Sequence, residues 1–519
     1  MEKPDITMEP LKSKSVVTNI SYAVLEKTLY SVSTLILVPI AVKQLGMDVY
    51  GIWVLYCSLA AFFLLAQFGL STSFERFIAA YRASNDHEKL MRVVATSFYS
   101  LCVIAIVIFA VSALCAEHVI SWFAGTQVSR YQELLFIWFM GINAVMLVNQ
   151  IFMAVPRGYL RYDISSFIGI AARLVETGLS IAFLLTGSGL AAFIWGLGAS
   201  CVISTCAGFW VTSRTLGKWP IAPRMFSGSM LLELYRFGIY TQASFFAMWA
   251  SANMDKLIIS RLFGSYYVGL YDIGTRIPLL VRNTFSLIFA VLVPRASELF
   301  ATGARNTLQR IYRHGSRYLA ILSSAAAALL IPTAGSILEL WLRKPADRLE
   351  IFVFQAIMVG VAVQLTAGIG SSVIRGVNKP YFETIANTGM ALVNVVFSLS
   401  LCLLYGMNGV AWGTVLSLVA GTIFFEVLVN RELQVDQSSF FLTDIAVPFL
   451  WSLACTVAGV FVFPLLCSRF FMDVSPVMAL AASVCVYGAA LCGLTAVFYR
   501  VIGYVSLGEI IGVFRKKIL

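Results

Sequence analysis

Five charged side chains sit where a chain could use them on an anion. Arg173 and Glu176 are three residues apart and Asp272 and Arg276 are four apart, so each pair shares one face of a helix. Arg282 has no carboxylate three or four positions away on either side. It therefore brings a net positive charge to its own helix. A guanidinium can hold a phosphate through two parallel hydrogen bonds, which makes Arg173, Arg276 and Arg282 candidates for an anionic, phosphate-bearing ligand. The opposing reading is structural, with Arg173–Glu176 and Asp272–Arg276 as self-neutralising pairs. Glu26–Lys27 and Asp255–Lys256 are two more adjacent acid–base couples. A desolvated carboxylate can titrate near neutral pH, so Glu26, Glu176, Asp255 and Asp272 are candidates for proton coupling. Lys256, toward a helix end, is expected to snorkel to the interface. Asn143, Asn149, Gln150, Gln364, Asn387 and Asn394 add groups suited to sugar hydroxyls or to bonds between helices.

The elements that carry these residues are apolar. The chain has 519 residues, 59% hydrophobic and only 12% charged, where a soluble chain carries about 25% charge. Mean hydropathy is +0.85. A soluble enzyme is excluded. Runs long enough to span a bilayer fall at about 18–42, 49–74, 93–115, 133–156, 163–186, 189–213, 237–262, 266–293, 316–341, 350–374, 381–405, 409–430, 441–467 and 475–499. Their length argues for helices and against an outer-membrane barrel. At 1.5 Å per residue, Arg173 lies roughly 15 Å into its helix, near the midplane, and Arg276 at a similar depth. Pro278 is expected to loosen the helix between Arg276 and Arg282.

Other chemistries find no support. There is no Gly-x-x-x-x-Gly-Lys-Ser/Thr loop for ATP, and His87-Glu88 lacks the second histidine of a zinc-protease helix. The chain has three His in all. Its ten Cys mostly lie inside apolar runs and read as small buried hydrophobes. No cofactor, metal or catalytic residue is expected. Met1–Ser15 is polar, without the basic-then-apolar pattern of a cleaved signal, so the first apolar helix is expected to stay. The net charge of +11 would suggest nucleic acid in a soluble chain. Here its placement matters more, and no nucleic-acid partner is expected.

Placing the N-terminus inside puts twenty-five Lys and Arg in inner segments and seven in outer loops. This asymmetry sets both termini in the cytoplasm. An internal repeat organises the chain. Gly46, Gly51, Leu90, Arg92, Arg157 and Gly158 recur 218 residues on as Gly264, Gly269, Leu308, Arg310, Arg375 and Gly376, and Gly189 recurs as Gly409. Six helices per repeat give both copies one orientation, with an axis along the membrane normal. The expected organisation is a tail at 1–17, an N-lobe at 18–214, a basic linker at 215–235, a C-lobe at 236–432, two added helices within 433–500 and a basic tail at 501–519. Two lobes around a cleft suit alternating access.

The stretch Gln44-Leu-Gly-Met-Asp-Val-Tyr50-Gly-Ile-Trp53, then Gln67-Phe-Gly-Leu-Ser71 and Glu75-Arg-Phe-Ile-Ala79, resembles the first hairpin of Wzx-type polysaccharide/O-antigen flippases. These belong to the multidrug/oligosaccharidyl-lipid/polysaccharide (MOP) exporter superfamily. Arg157-Gly-Tyr-Leu-Arg-Tyr-Asp163, Gly189-Leu-Ala-Ala and Gly409-Val-Ala-Trp fit the same pattern, and the resemblance covers residues 15–432. The aspartate often seen before the Gly-Leu of the second helix is replaced here by Gln67-Phe68. The resemblance implies an all-α integral membrane protein of about fourteen helices, MATE-like, with two parallel six-helix repeats and two C-terminal helices. It implies movement of an undecaprenyl-pyrophosphate-linked oligosaccharide to the outer leaflet of a bacterial cytoplasmic (inner) membrane, for O-antigen or lipopolysaccharide assembly. A polysaccharide polymerase and chain-length proteins are the implied partners, beside the substrate and the bilayer. Two alternatives stand beside it. One is a cation-coupled multidrug exporter of the same superfamily; the other is a membrane glycosyltransferase or polysaccharide polymerase, against which the short loops argue.

Overall fold

The computed structural model describes residues 16–62, 65, 67, 69–124, 129–217, 221–290, 292–470 and 476–501. The expected tails lie outside them except at their inner edges, as do residues 218–220 of the linker and Phe68 of the resembling hairpin. All regular structure among the described residues is helical. In order the helices are α1 (Val16–Ala60), α2 (Leu70–Ala83), α3 (His87–Leu114), α4 (Ala116–Ala124), α5 (Arg130–Gly158), α6 (Tyr162–Leu185), α7 (Ala191–Leu216), α8 (Gly228–Phe263) and α9 (Ser265–Ala290). There follow α10 (Leu292–Ala301), α11 (Arg305–Leu342), α12 (Arg348–Thr366), α13 (Gly368–Gly376), α14 (Tyr381–Tyr405), α15 (Met407–Leu433), α16 (Val447–Phe470) and α17 (Pro476–Val501). A π-helical turn, Phe440–Ala446, leads into α16.

Eleven helical segments of the described chain are long and apolar enough to cross a membrane. The protein is a multi-pass membrane protein. On α3, Val93, Val94 and Leu101 are buried while Val103, Ile106 and Val107 are exposed. An apolar outer face of this kind needs lipid rather than water. The sequence and structure differ in two places for local reasons. The run 49–74 does not form one helix: α1 ends at Ala60 and α2 begins at Leu70, after Gly69 in a left-handed conformation, with Phe62 and Leu65 helical between them. The apolar run at 237–262 is the inner part of a longer helix, α8, which starts at Gly228 with Ser227 accepting from the Met230 amide. Pro278 does not break α9.

The chain divides into two compact units, Met1–Ile273 with Asn387–Thr414, and Gly274–Ala386 with Val415–Leu519. In the first, α6 packs on α1 and α7, and α5 on α2, α3 and α7. In the second, α11 packs on α12, α16 and α17, and α10 packs on α13.

Residues 218 apart carry the same local geometry. Gly46 (φ 77, ψ 168) turns the chain inside α1, and Gly264 (φ 91, ψ 175) turns it between α8 and α9. Only glycine adopts such angles without strain. Ser129 and Gln132 form a capping box on α5; Asp347 and Glu350 form one on α12. Gly158 lies against Ile78, and Gly376 against Ala296. Leu160 and Asn378 are both left-handed. The closest backbone approach is at another matched pair. A Cβ on Gly51 would lie 1.8 Å from Ser265 O, and one on Gly269 would lie 2.9 Å from Met47 O. Small residues let α1 and α9 touch there, backbone to backbone.

Candidate functional site: two buried carboxylate clusters

The turn at Gly264 folds α9 back along α8, so residues sixteen apart meet. Tyr271 donates its hydroxyl to Asp255 Oδ2 at 2.8 Å, and Lys256 donates to Asp272 Oδ1 at 2.7 Å. From α1, Tyr50 donates to Asp272 Oδ2 at 2.7 Å. Asp272 is 1% exposed and is neutralised by Lys256. This corrects the expectation for Lys256. Its ammonium does not snorkel to the interface; an ion pair with a buried carboxylate holds it within the bundle, because two opposite charges kept together cost less than either alone. Asp272 thus has partners from two other helices, α8 and α1.

Asp255 is 3% exposed and surrounded by neutral groups. Ser398 of α14 donates to its Oδ1 at 2.9 Å, and Asn394, one turn earlier, reaches the same oxygen at 3.3 Å. Thr414 of α15 lies 2.5 Å from Oδ2. Asn394 is itself 1% exposed, and its carbonyl oxygen Oδ1 receives no hydrogen bond among the described residues. A carboxylate, three hydroxyls and the Asn394 amide group therefore converge, and no basic residue is paired to Asp255 among the described residues. Such a hard, singly charged oxygen set fits a proton or a small monovalent cation.

The second predicted group lies between α6 and α1. Arg173 donates to Glu176 Oε1 at 2.8 Å and to Thr34 Oγ1 at 2.8 Å, and its guanidinium sits 4.1 Å from the Tyr30 ring centre. The pair expected from sequence is thus closed, and Arg173 is committed to it. One turn earlier on each helix, Glu26 packs on Gly169, where a Cβ would come within 2.4 Å of its Oε1. Arg276 is half-buried on α9. Arg282 is half-buried too, and makes no hydrogen bond or ion pair among the described residues. Of the polar amides, Asn143 bonds its own helix at Phe139 O, and Asn149 bonds Ser204 on α7. Both serve helix structure.

Three buried acids escape the sequence reading. Glu350, 0% exposed, is paired with Lys344 at 3.1 Å. Asp444, 0% exposed, accepts from Arg313 Nε and Arg317 Nε, each at 2.8 Å. Glu426 on α15 is 2% exposed, with Thr366 Oγ1 2.6 Å from its Oε1. A lone acid inside an apolar run is itself a functional signal, and that signal was present at Glu426 and Asp444.

At the membrane edge, acid–base pairs lie at the helix ends. Arg157 meets Glu75 at 3.2 Å, Arg161 meets Asp163 through two bonds, and Arg375 meets Glu383 at 2.8 Å.

Helices of this length and apolarity define a multi-pass membrane protein. The model of the family described as "Polysaccharide biosynthesis protein" matches residues 28–344, and the chain belongs to that family. A similar relative is the "Probable low-salt glycan biosynthesis flippase Agl15" of Haloferax volcanii, 21% identical over 396 residues, spanning 73% of this chain and 76% of the relative. Among solved structures, an inward-facing multidrug resistance MATE family transporter of the MOP superfamily aligns with a TM-score of 0.67 at 16% identity, covering 81% of this chain and 98% of that one. The lipid II flippase MurJ in an inward closed conformation aligns with a TM-score of 0.65 at 13% identity, covering 94% and 99%. The fold is that of MATE transporters and MurJ. These relatives and structural neighbours are flippases and transporters, not enzymes.

Proposed function

We propose that this protein is a flippase that moves a polyprenyl-pyrophosphate-linked oligosaccharide from the inner to the outer leaflet of the cytoplasmic membrane, for polysaccharide or O-antigen assembly. A sugar-pyrophosphate head cannot cross hydrocarbon alone, since its hydroxyls and charges would lose their water. Alternating access of two six-helix lobes, 18–214 and 236–432, replaces that water with protein groups while the tail stays in lipid. The observation that carries the substrate is Arg282, a half-buried guanidinium on α9 with no partner among the described residues. A cation left without a counter-charge there is costly unless a ligand supplies one. Arg276 and Arg173 are assigned supporting contacts to the same pyrophosphate, Arg173 only after exchanging Glu176 for it. Asp255 and its oxygens bind the coupling cation, H+ or Na+; Glu26, Glu176 and Asp272 are the further candidates for coupling. The basic asymmetry supports cytoplasmic termini, and a polymerase and chain-length proteins would take up the product.

The test is surface-polysaccharide assembly in cells carrying Arg282→Gln or Arg282→Lys at equal expression. Gln removes charge and should abolish assembly; Lys keeps a point charge without the fork and should retain part of it. Full assembly with Arg282→Gln contradicts the assignment. The paired mutant Arg173→Gln with Glu176→Gln separates binding from neutralisation, because recovery of function in it assigns Arg173 to structure alone. Reporter fusions after Arg130 and Arg348 should read outside, and those after Lys89 and Arg224 inside.

A further inference from the structure

Glu426 raises a question of hydrogen counting. Thr366 Oγ1 lies 2.6 Å from Glu426 Oε1 and 2.7 Å from Val363 O, the carbonyl one turn back on its own helix. Its single hydroxyl hydrogen can serve only one of them. If Glu426 were a carboxylate, one of these short contacts would set two acceptors against each other in a buried site. A hydrogen on Glu426 removes the conflict: the carboxyl donates to Thr366, and Thr366 donates to Val363 O.

The surroundings agree. No basic residue is paired with Glu426 among the described residues. Tyr312 of α11 lies within electrostatic reach of Glu426, and its ring lines the space over Gly370 together with Phe425 and Val429 of α15. The Tyr312 hydroxyl is buried and makes no hydrogen bond among the described residues. Tyr312 stacks on Phe440 at 5.1 Å, and beyond it Asp444 is held by Arg313 and Arg317. Both guanidiniums are engaged by Asp444 rather than by Glu426. A buried carboxylate without a cation costs several kcal/mol, whereas a neutral carboxyl with one good bond does not.

We propose that Glu426 is a proton-binding site, protonated at neutral pH and held in the chain Glu426–Thr366–Val363, which releases its proton when α15 and α12 separate enough to admit water. Its coupling role rests on the transporter reading; its protonation does not. The experiment is an infrared difference spectrum of the full-length protein in lipid vesicles, wild type against Glu426→Gln, without substrate. A band of a protonated carboxyl at neutral pH should be present in wild type and lost in the variant. Loss of a carboxylate band instead, with no change in the carboxyl region, overturns the proposal. Thr366→Val keeps Glu426 and removes its bonding partner, so it should shift the same carboxyl band; an unshifted band also overturns it. Because no substrate enters, this result can fail while the flippase reading stands.

Discussion

Asp255 and Glu426 are both carboxylates buried on long helices, yet they differ in how many hydrogens face them. Around Asp255, the hydroxyls of Tyr271 and Ser398 and the amide of Asn394 all have hydrogens to give, and Thr414 stands beside them. Among the described residues one hydroxyl bonds Glu426, that of Thr366, and it is already shared with a backbone carbonyl. Equal burial thus does not mean equal chemistry. The first site can replace the water shell of an anion and seat a cation beside it; the second is complete only when the acid keeps its own proton.

Removing the side chains should separate them most. Asp255→Leu strands several buried donors and should cost about 3 kcal/mol or more of unfolding free energy. Glu426→Leu leaves Thr366 bonded to Val363 O and should cost about 1 kcal/mol. Thermal unfolding in detergent measures both, and equal losses would break the comparison. The isosteric changes sharpen it. Asp255→Asn turns an acceptor into a donor among donors and should cost about 1–3 kcal/mol, while Glu426→Gln should be close to neutral. Cation binding comes next. Na+ at about ten times its Kd should raise apparent stability by about 1.4 kcal/mol over a bulky organic cation; Asp255→Asn should lose that gain and Glu426→Gln keep it. The smallest effect contrasts a solvated acid with both. The backbone amide and ammonium of Lys89 hold the Asp86 carboxyl below its usual range. A depressed carboxyl stabilises the fold above its unfolded pKa and loses that contribution as pH falls through the folded one. Asp86→Asn should flatten this acid limb of the stability profile, read by the same unfolding assay.

Much of the fold was legible because hydropathy and length speak directly at α3, α5, α6, α7 and α11 through α17. The separate start of α2 at Leu70 and the early start of α8 were not, since a left-handed glycine sets a helix boundary inside an apolar run and a polar cap extends a helix beyond one. The local pair Arg173–Glu176 could be read from spacing alone. Lys256–Asp272 could not, because sixteen residues and the Gly264 turn separate its members. Thr366 and Glu426 are sixty positions apart, and Asn394, Ser398 and Thr414 reach Asp255 from helices far along the chain. Sequence spacing shows helix neighbours; it does not show which helices will meet.

The central claim is the movement of a pyrophosphate-linked oligosaccharide, and reconstitution tests it most directly. Purified protein would be placed in liposomes holding a fluorescently labelled polyprenyl-pyrophosphate oligosaccharide, and the fraction reaching the opposite leaflet followed by quenching from outside. The account predicts fast transfer with wild type and transfer near the protein-free rate with Arg282→Gln. Wild-type protein that moves the lipid no faster than empty liposomes, under Na+ and proton gradients of either sign, would contradict it.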